Sequence, residues 1–378
     1  MENVTLKVTG VEMKKSRIFF MLLTAMLTLT SALLLLAEEE GAASTTNGFV
    51  TEYAIPVANS APQSIVVESS GPPTTVWFTM AEANAVGKLV VTDANNFTFT
   101  TYTAGITSNS EPHDLVYDAA NGLIWFTEPG NASLGRLVIA SGAITEIALP
   151  SNHVPLNLDI APNGRLYITS PSTNHVLSYN PDTLEFTTFP YSAAGGNPTD
   201  IQVFNNSSVW FTSPATKEAA ELNPTTTNFI RIPLLDLLGG QYTPTGLTLD
   251  NLAPWIAASD VNRIGRYAEG TLSLWRWYQI LPDNSGASSL AYTTSGDFSH
   301  LWYVHSNLGQ VGRMTIDTAN KDLISVSAHS LSFAGSQPAD IAVDGNGVAW
   351  ITGKGNNVIA QWVPPYANYI SLPLVVKP

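Results

Sequence analysis

"EPHDLVYDAANGLIWFTE", residues 111–128, decides the fold. Two short apolar runs, Leu115–Tyr117 and Leu123–Phe126, flank a turn of Ala, Asn and Gly, the pattern of a β-hairpin. The second run ends on an aromatic, and that ending returns along the whole chain, at Trp77, Trp125, Tyr167, Trp210, Trp255, Trp302 and Trp350, at intervals of 48, 42, 43, 45, 47 and 48 residues. Seven copies at this period fit the blades of a propeller, each of four short strands, and no 3.6-residue periodicity argues for a helical repeat. Each copy has the same grammar. A first strand opens the copy, usually after Pro ("PHDLVY", "PTDIQV", "PTGLTL", "PADIAV"), and the aromatic strand follows. A third strand carries Gly-Arg ("LGRL", "IGRY", "VGRM"), and a fourth ends near Pro ("ITEIALP", "FIRIPL"). The fold class is therefore all-β, a seven-bladed β-propeller of four-stranded antiparallel blades. The seven aromatics are expected to pack between blades.

"VTEYAIP", residues 50–56, has the fourth-strand pattern but precedes the first copy, while the seventh copy lacks such a strand after "VIAQW". Pairing the two would seal the ring and leave no open sheet edge. "YISLPLVVKP" at 369–378 competes for that place. The expected organisation is a leader and linker over 1–43, the propeller over 44–365, and a C-terminal strand or tail over 366–378.

Composition agrees with a β body: charges make up 12% of 378 residues, and Gly and Pro are frequent. A net charge of −14 with no basic stripe argues against nucleic acid as a partner. Lys14, Lys15 and Arg17 precede the apolar run Ile18–Ala37, with Gly41, Ala42, Ala43 and Ser44 after it, which reads as an export signal or an uncleaved N-terminal membrane anchor. Either places the body outside the cytoplasm. With no cysteine, it is held by its core alone there.

The opening hairpin also carries the candidate chemistry. With its turn between Ala120 and Asn121, Tyr117 should face Ile124 and His113 should face Glu128, partners ~5 Å apart. Glu111 and His113, two apart, point to one side of an extended strand. Two carboxylates suit a hard cation such as Mg²⁺, and a neutral His suits proton abstraction. The bland reading is that Glu128 caps the loop "EPGN". A second pattern, Ser64, Asp114, Asn157, Asp200, Gly246, Ser289 and Asp340 near the start of each first strand, is expected to satisfy strand-end backbone groups around the channel. His305 stands in its copy where Glu128 stands in the second, and His153, His175, His300 and His329, without shared spacing, are expected at the surface.

The repeat resembles the streptogramin B lyase (virginiamycin B lyase) family of seven-bladed propellers from about Phe49 to Trp362, most literally in "EPHDLVYDAANGLIWFTE" and "ITEIALP". That resemblance implies Mg²⁺-dependent opening of a cyclic depsipeptide ester by elimination, with His113 as base and Glu111 and Glu128 as metal ligands. The family's second His and its Tyr fall on Gln63 and Leu156 in this sequence. A small-molecule or peptide ligand at the channel mouth and a monomeric state are expected. A non-catalytic binding scaffold and a lactone hydrolase are the competing readings.

Overall fold

The computed structural model describes residues 49–364 except 237, 251–252, 269–273, 281–285 and 332–334, together with the backbone of four short stretches before residue 48. The run Ile18–Ala37 and the tail 366–378 lie outside the described residues.

The repeated grammar folds into seven antiparallel sheets, each built on four strands, which follow sequence order in the first six. In blade two these are Leu115–Asp118, Leu123–Glu128, Ser133–Val138 and Ile144–Ala148. The ring closes with the N-terminal candidate: Val50–Ala54 lies antiparallel to Val358–Trp362, Ala54 opposite Val358 and Val50 opposite Trp362. A short strand, Ser44–Asn47, pairs on its outer side.

All seven repeat aromatics are buried. Each sits directly across from one third-strand residue, and in four blades that residue is a cation lying over the indole: Lys88, Arg136, Arg266 and Arg313, at 5.4, 6.0, 5.9 and 5.2 Å from the ring centroids. The Gly before the cation has its own reason. A Cβ on Gly135 would come within 2.1 Å of the Phe126 ring, and one on Gly87 within 2.3 Å of Phe78. The Gly-Arg pair of the third strand thus seats one aromatic of the second strand and covers the other.

Threonine following the aromatic strand joins the blades. Thr127 Oγ1 accepts the amide of Asp114, at 3.0 Å, and donates to the carbonyl of Leu156 in blade three, at 2.7 Å. Thr79 does the same between Ser64 and His113, Thr169 between Asn157 and Thr199, and Thr352 between Asp340 and Gln63. Aspartates form a second layer of ties nearer the axis. Asp114 accepts from Leu115 N and Ser64 Oγ through one oxygen and from Leu158 N through the other, at 2.9, 2.7 and 2.9 Å. Asp159 reaches Val203 N, Asp200 reaches Leu247 N, and Asp340 reaches Ile65 N, so each fastens its own blade to the next. The expected ring of short polar residues therefore serves the backbone at Asp114, Asp200, Ser289 and Asp340, while Ser64 Oγ donates to the carboxylates of Asp114 and Asp340.

Candidate functional site

The hairpin register is as the sequence dictates up to a point: Leu115 faces Phe126 and Tyr117 faces Ile124. Beyond it the regular ladder stops. Thr127 N donates to Asp114 O and His113 N donates to Thr127 O, both at 2.9 Å, so His113 and Asp114 share one residue of the partner strand. This is a β-bulge. The expected His113–Glu128 pairing is replaced by it: the extra residue turns His113, beside Asp114, into the axial channel. Leu156 in blade three and Thr199 in blade four make the same step, so the bulge belongs to the repeat.

The channel mouth is a cavity of about 440 Å³ whose wall includes Gln63, His113, Asp114, Thr199, Thr245 and Asp340. Thr79 Oγ1 clamps the His113 carbonyl at 2.7 Å. Burial, and then the positive charge of Lys354, hold the His113 ring below its ordinary pKa, so it is neutral at pH 7. Its Nδ1 is buried without a hydrogen-bond partner. Around it, desolvation raises Asp114 to about 8 and Asp200 to about 7, with Asp340 adding to both. The mouth thus combines a neutral imidazole with carboxyl groups reluctant to ionise.

The two glutamates lie elsewhere. Glu111 is exposed, in a left-handed conformation (φ 55°) between Ser110 and Pro112, with its amide held by Asn84 Oδ1. Ser60-Ala61-Pro62 and Ser336-Gln337-Pro338 open blades one and seven with the same twist, φ 49° and 42° at the middle residue. Glu128 is fully buried, with Glu146 and Ser110 as the polar side chains acting on its carboxyl group. Desolvation, and next the charge of Glu146, push it up to about 8. Glu146, on the fourth strand, is itself desolvated, yet bonds from Thr107 Oγ1 and N, at 2.6 and 2.5 Å, outweigh that and keep its carboxyl low. A protonated Glu128 beside an ionised Glu146 is the stable arrangement. The charges acting on His113 are Lys354 and Asp340, and the one acting on Glu128 is Glu146. Among the described residues, no group of three His, Asp or Glu side chains is placed to hold a metal ion.

Gln63 lines the mouth, and Leu156 presents its carbonyl to Thr127. His305 is fully buried with both ring nitrogens unpartnered, and burial lowers it to about 4. Sequence reasoning missed Glu146 and Lys354. The "TE" of "ITEIALP" carries the first in a quoted motif, but only the fold shows that the fourth strand returns beside Glu128. Asp159 was missed as well, two residues beyond the aligned ring position, Asn157.

The model of the virginiamycin B lyase family matches residues 94–362. The chain belongs to that family. Three solved structures share its architecture, each covering 84% of this chain and 99% of its own with a TM-score of 0.69: a streptogramin B lyase at 21% identity, a virginiamycin B lyase from Staphylococcus aureus at 19%, and a catalytically inactive virginiamycin B lyase from the same organism with quinupristin at 20%. At such identities the likeness shows the fold. No curated protein matches the chain.

Proposed function

We propose that this family member is an exported lyase-like propeller that opens a cyclic ester ligand at its channel mouth by elimination, with His113 as the base. The observation that carries this reading is a neutral, partly desolvated imidazole in the wall of a cavity large enough for part of a cyclic peptide. In the reaction, His113 takes the proton from the carbon beside a carbonyl. The C–H electron pair becomes the new C=C bond, the ester C–O bond breaks, and the carboxylate leaves with its electrons. No water is consumed, and the proton passes from the imidazolium to solvent. A streptogramin-type depsipeptide is the first ligand to try, given the quinupristin found with a relative. Export rests on the basic residues ahead of Ile18–Ala37.

The Mg²⁺ ion implied by the family does not fit the residues as expected. Glu128 is buried beside Glu146 while Glu111 is exposed, and among the described residues no group of three His, Asp or Glu forms a site. No step is therefore routed through a metal. Gln63 and Leu156, at positions where the resemblance expects His and Tyr, favour a second reading, a binding scaffold for a peptide or glycan.

Mass spectrometry separates the readings. Purified protein, with and without Mg²⁺, is incubated with cyclic depsipeptides and lactones. Elimination opens the ring without changing mass, and hydrolysis adds one water. Ring opening at constant mass, lost in His113→Ala, supports the lyase. Saturable ligand binding without turnover supports the scaffold, and a product heavier by one water points to lactone hydrolysis.

A further inference from the structure

Two histidines meet on the rim of blade three, one blade away from His113. His153 belongs to the loop leading into the inner strand Leu158–Ile160, and His175 opens the third strand, His175–Asn180. Their ring centroids are 4.8 Å apart at an interplanar angle of 69°, and both side chains are half-buried.

The hydrogen bonds fix which ring nitrogens remain available. His175 Nδ1 lies 2.6 Å from the Thr173 carbonyl, which can only accept, so this nitrogen carries the proton. His153 Nδ1 lies 2.8 Å from Thr173 Oγ1. That hydroxyl also lies 2.9 Å from Ser170 Oγ and 3.3 Å from the Ser170 carbonyl, so it is held in place and engages the His153 ring through Nδ1 in either tautomer. Burial, and next the neighbouring His175, hold His153 below its ordinary pKa. One residue, Thr173, thus anchors both rings by Nδ1 and leaves the two Nε2 atoms of adjoining imidazoles as the positions for a metal. Anchoring the far nitrogen to a carbonyl or hydroxyl is how proteins orient histidine metal ligands.

We infer that His153 and His175 form a two-histidine site for a borderline transition-metal cation of the Zn²⁺, Ni²⁺ or Cu²⁺ type, with Thr173 as its positioning residue and water at the remaining positions. Imidazole nitrogen selects these ions over Mg²⁺ and Ca²⁺, which take oxygen. No third His, Cys, Asp or Glu joins the pair among the described residues, so the site has two protein ligands and exchanges its metal readily. It shares no residue with the proposed base or with the Glu128–Glu146 pair.

The test is calorimetric titration of the full chain, purified without a histidine tag, with Zn²⁺ and Cu²⁺ at neutral pH. One equivalent should bind, and the affinity should fall at least tenfold in His153→Ala and in His175→Ala. Thr173→Val, which keeps both rings, should lose about tenfold, as removal of a ligand's supporting hydrogen bond does. Electron paramagnetic resonance of the Cu²⁺ form should show two coordinating nitrogens in the wild type and fewer in either alanine variant. Circular dichroism checks that these rim variants stay folded. Binding unchanged in both alanine variants, binding lost in His113→Ala instead, or no saturable binding at all would each overturn the assignment.

Discussion

Replacing Glu128 with Gln should make the protein more stable in alkaline solution while changing nothing in mild acid. The folded chain holds Glu128 at about 8 against an ordinary 4.5. At ~1.4 kcal/mol per factor of ten in proton affinity, the gap sets a ceiling of ~5 kcal/mol. The sign follows from where the proton sits. Between pH 5 and 8 the folded form keeps a proton that the unfolded chain has released, so rising pH favours unfolding until the slope ends near pH 8. Glu146, held low, is ionised in both states throughout this window and adds no slope of its own. Gln has the shape of the protonated acid, can donate to Glu146, and has no charge to bury. At pH 8.5 the variant should exceed wild type by ~2–4 kcal/mol, a Tm rise of several degrees, and at pH 5.5 the two should agree within ~1 kcal/mol. Thermal unfolding followed by circular dichroism in chelator measures both. A variant less stable than wild type at pH 8.5, or a difference that ignores pH, would refute the protonated pair.

Other consequences are as direct. Thr79→Val removes the bonds to Ser64 N and His113 O and should cost ~1–3 kcal/mol in denaturant unfolding, with a fall in kcat for any ring-opening activity larger than the change in KM. The rate should hold through neutral pH and fall only on the acid side, below the ordinary His range, because the base works unprotonated and its pKa is lowered; a pH–rate profile tests this. Gly135→Ala must push the Phe126 ring aside and should lose ~1–3 kcal/mol by chemical denaturation. Adding Mg²⁺ at pH 8.5 should shift the Tm of wild type and of Glu128→Gln equally, because Glu128 faces Glu146 and not a completed ligand set; a rise confined to wild type would make Glu128 a metal ligand.

The repeat was legible because each blade solves the same packing problem with the same residues. An aromatic, a threonine, a glycine and often a cation recur at fixed offsets, and the fold gives each a partner. The N-terminal strand was legible too, since Val50–Pro56 carries a fourth-strand pattern with no third strand before it. The site was less so. Two-residue alternation placed His113 opposite Glu128, but the bulge shared between His113 and Asp114 is set by the Thr127 hydroxyl competing for the ladder, a contact that periodicity does not encode. His153 and His175 looked unrelated for a similar reason: their nearness depends on a loop and a strand start brought together only by the blade.

The pairing of Val50–Ala54 with Val358–Trp362 orders events in time. A strand made before any blade waits for one of the last, so the cylinder cannot be sealed until translation has passed Trp362. Until then six finished sectors stand as an open arc with apolar sheet faces bare at both ends and the edge of Val50–Ala54 unpaired, the state most prone to sticking to a neighbouring copy. A permuted gene that begins between two sectors, with residue 50 joined behind residue 362, would let that last sheet assemble from contiguous chain and should shorten the vulnerable interval.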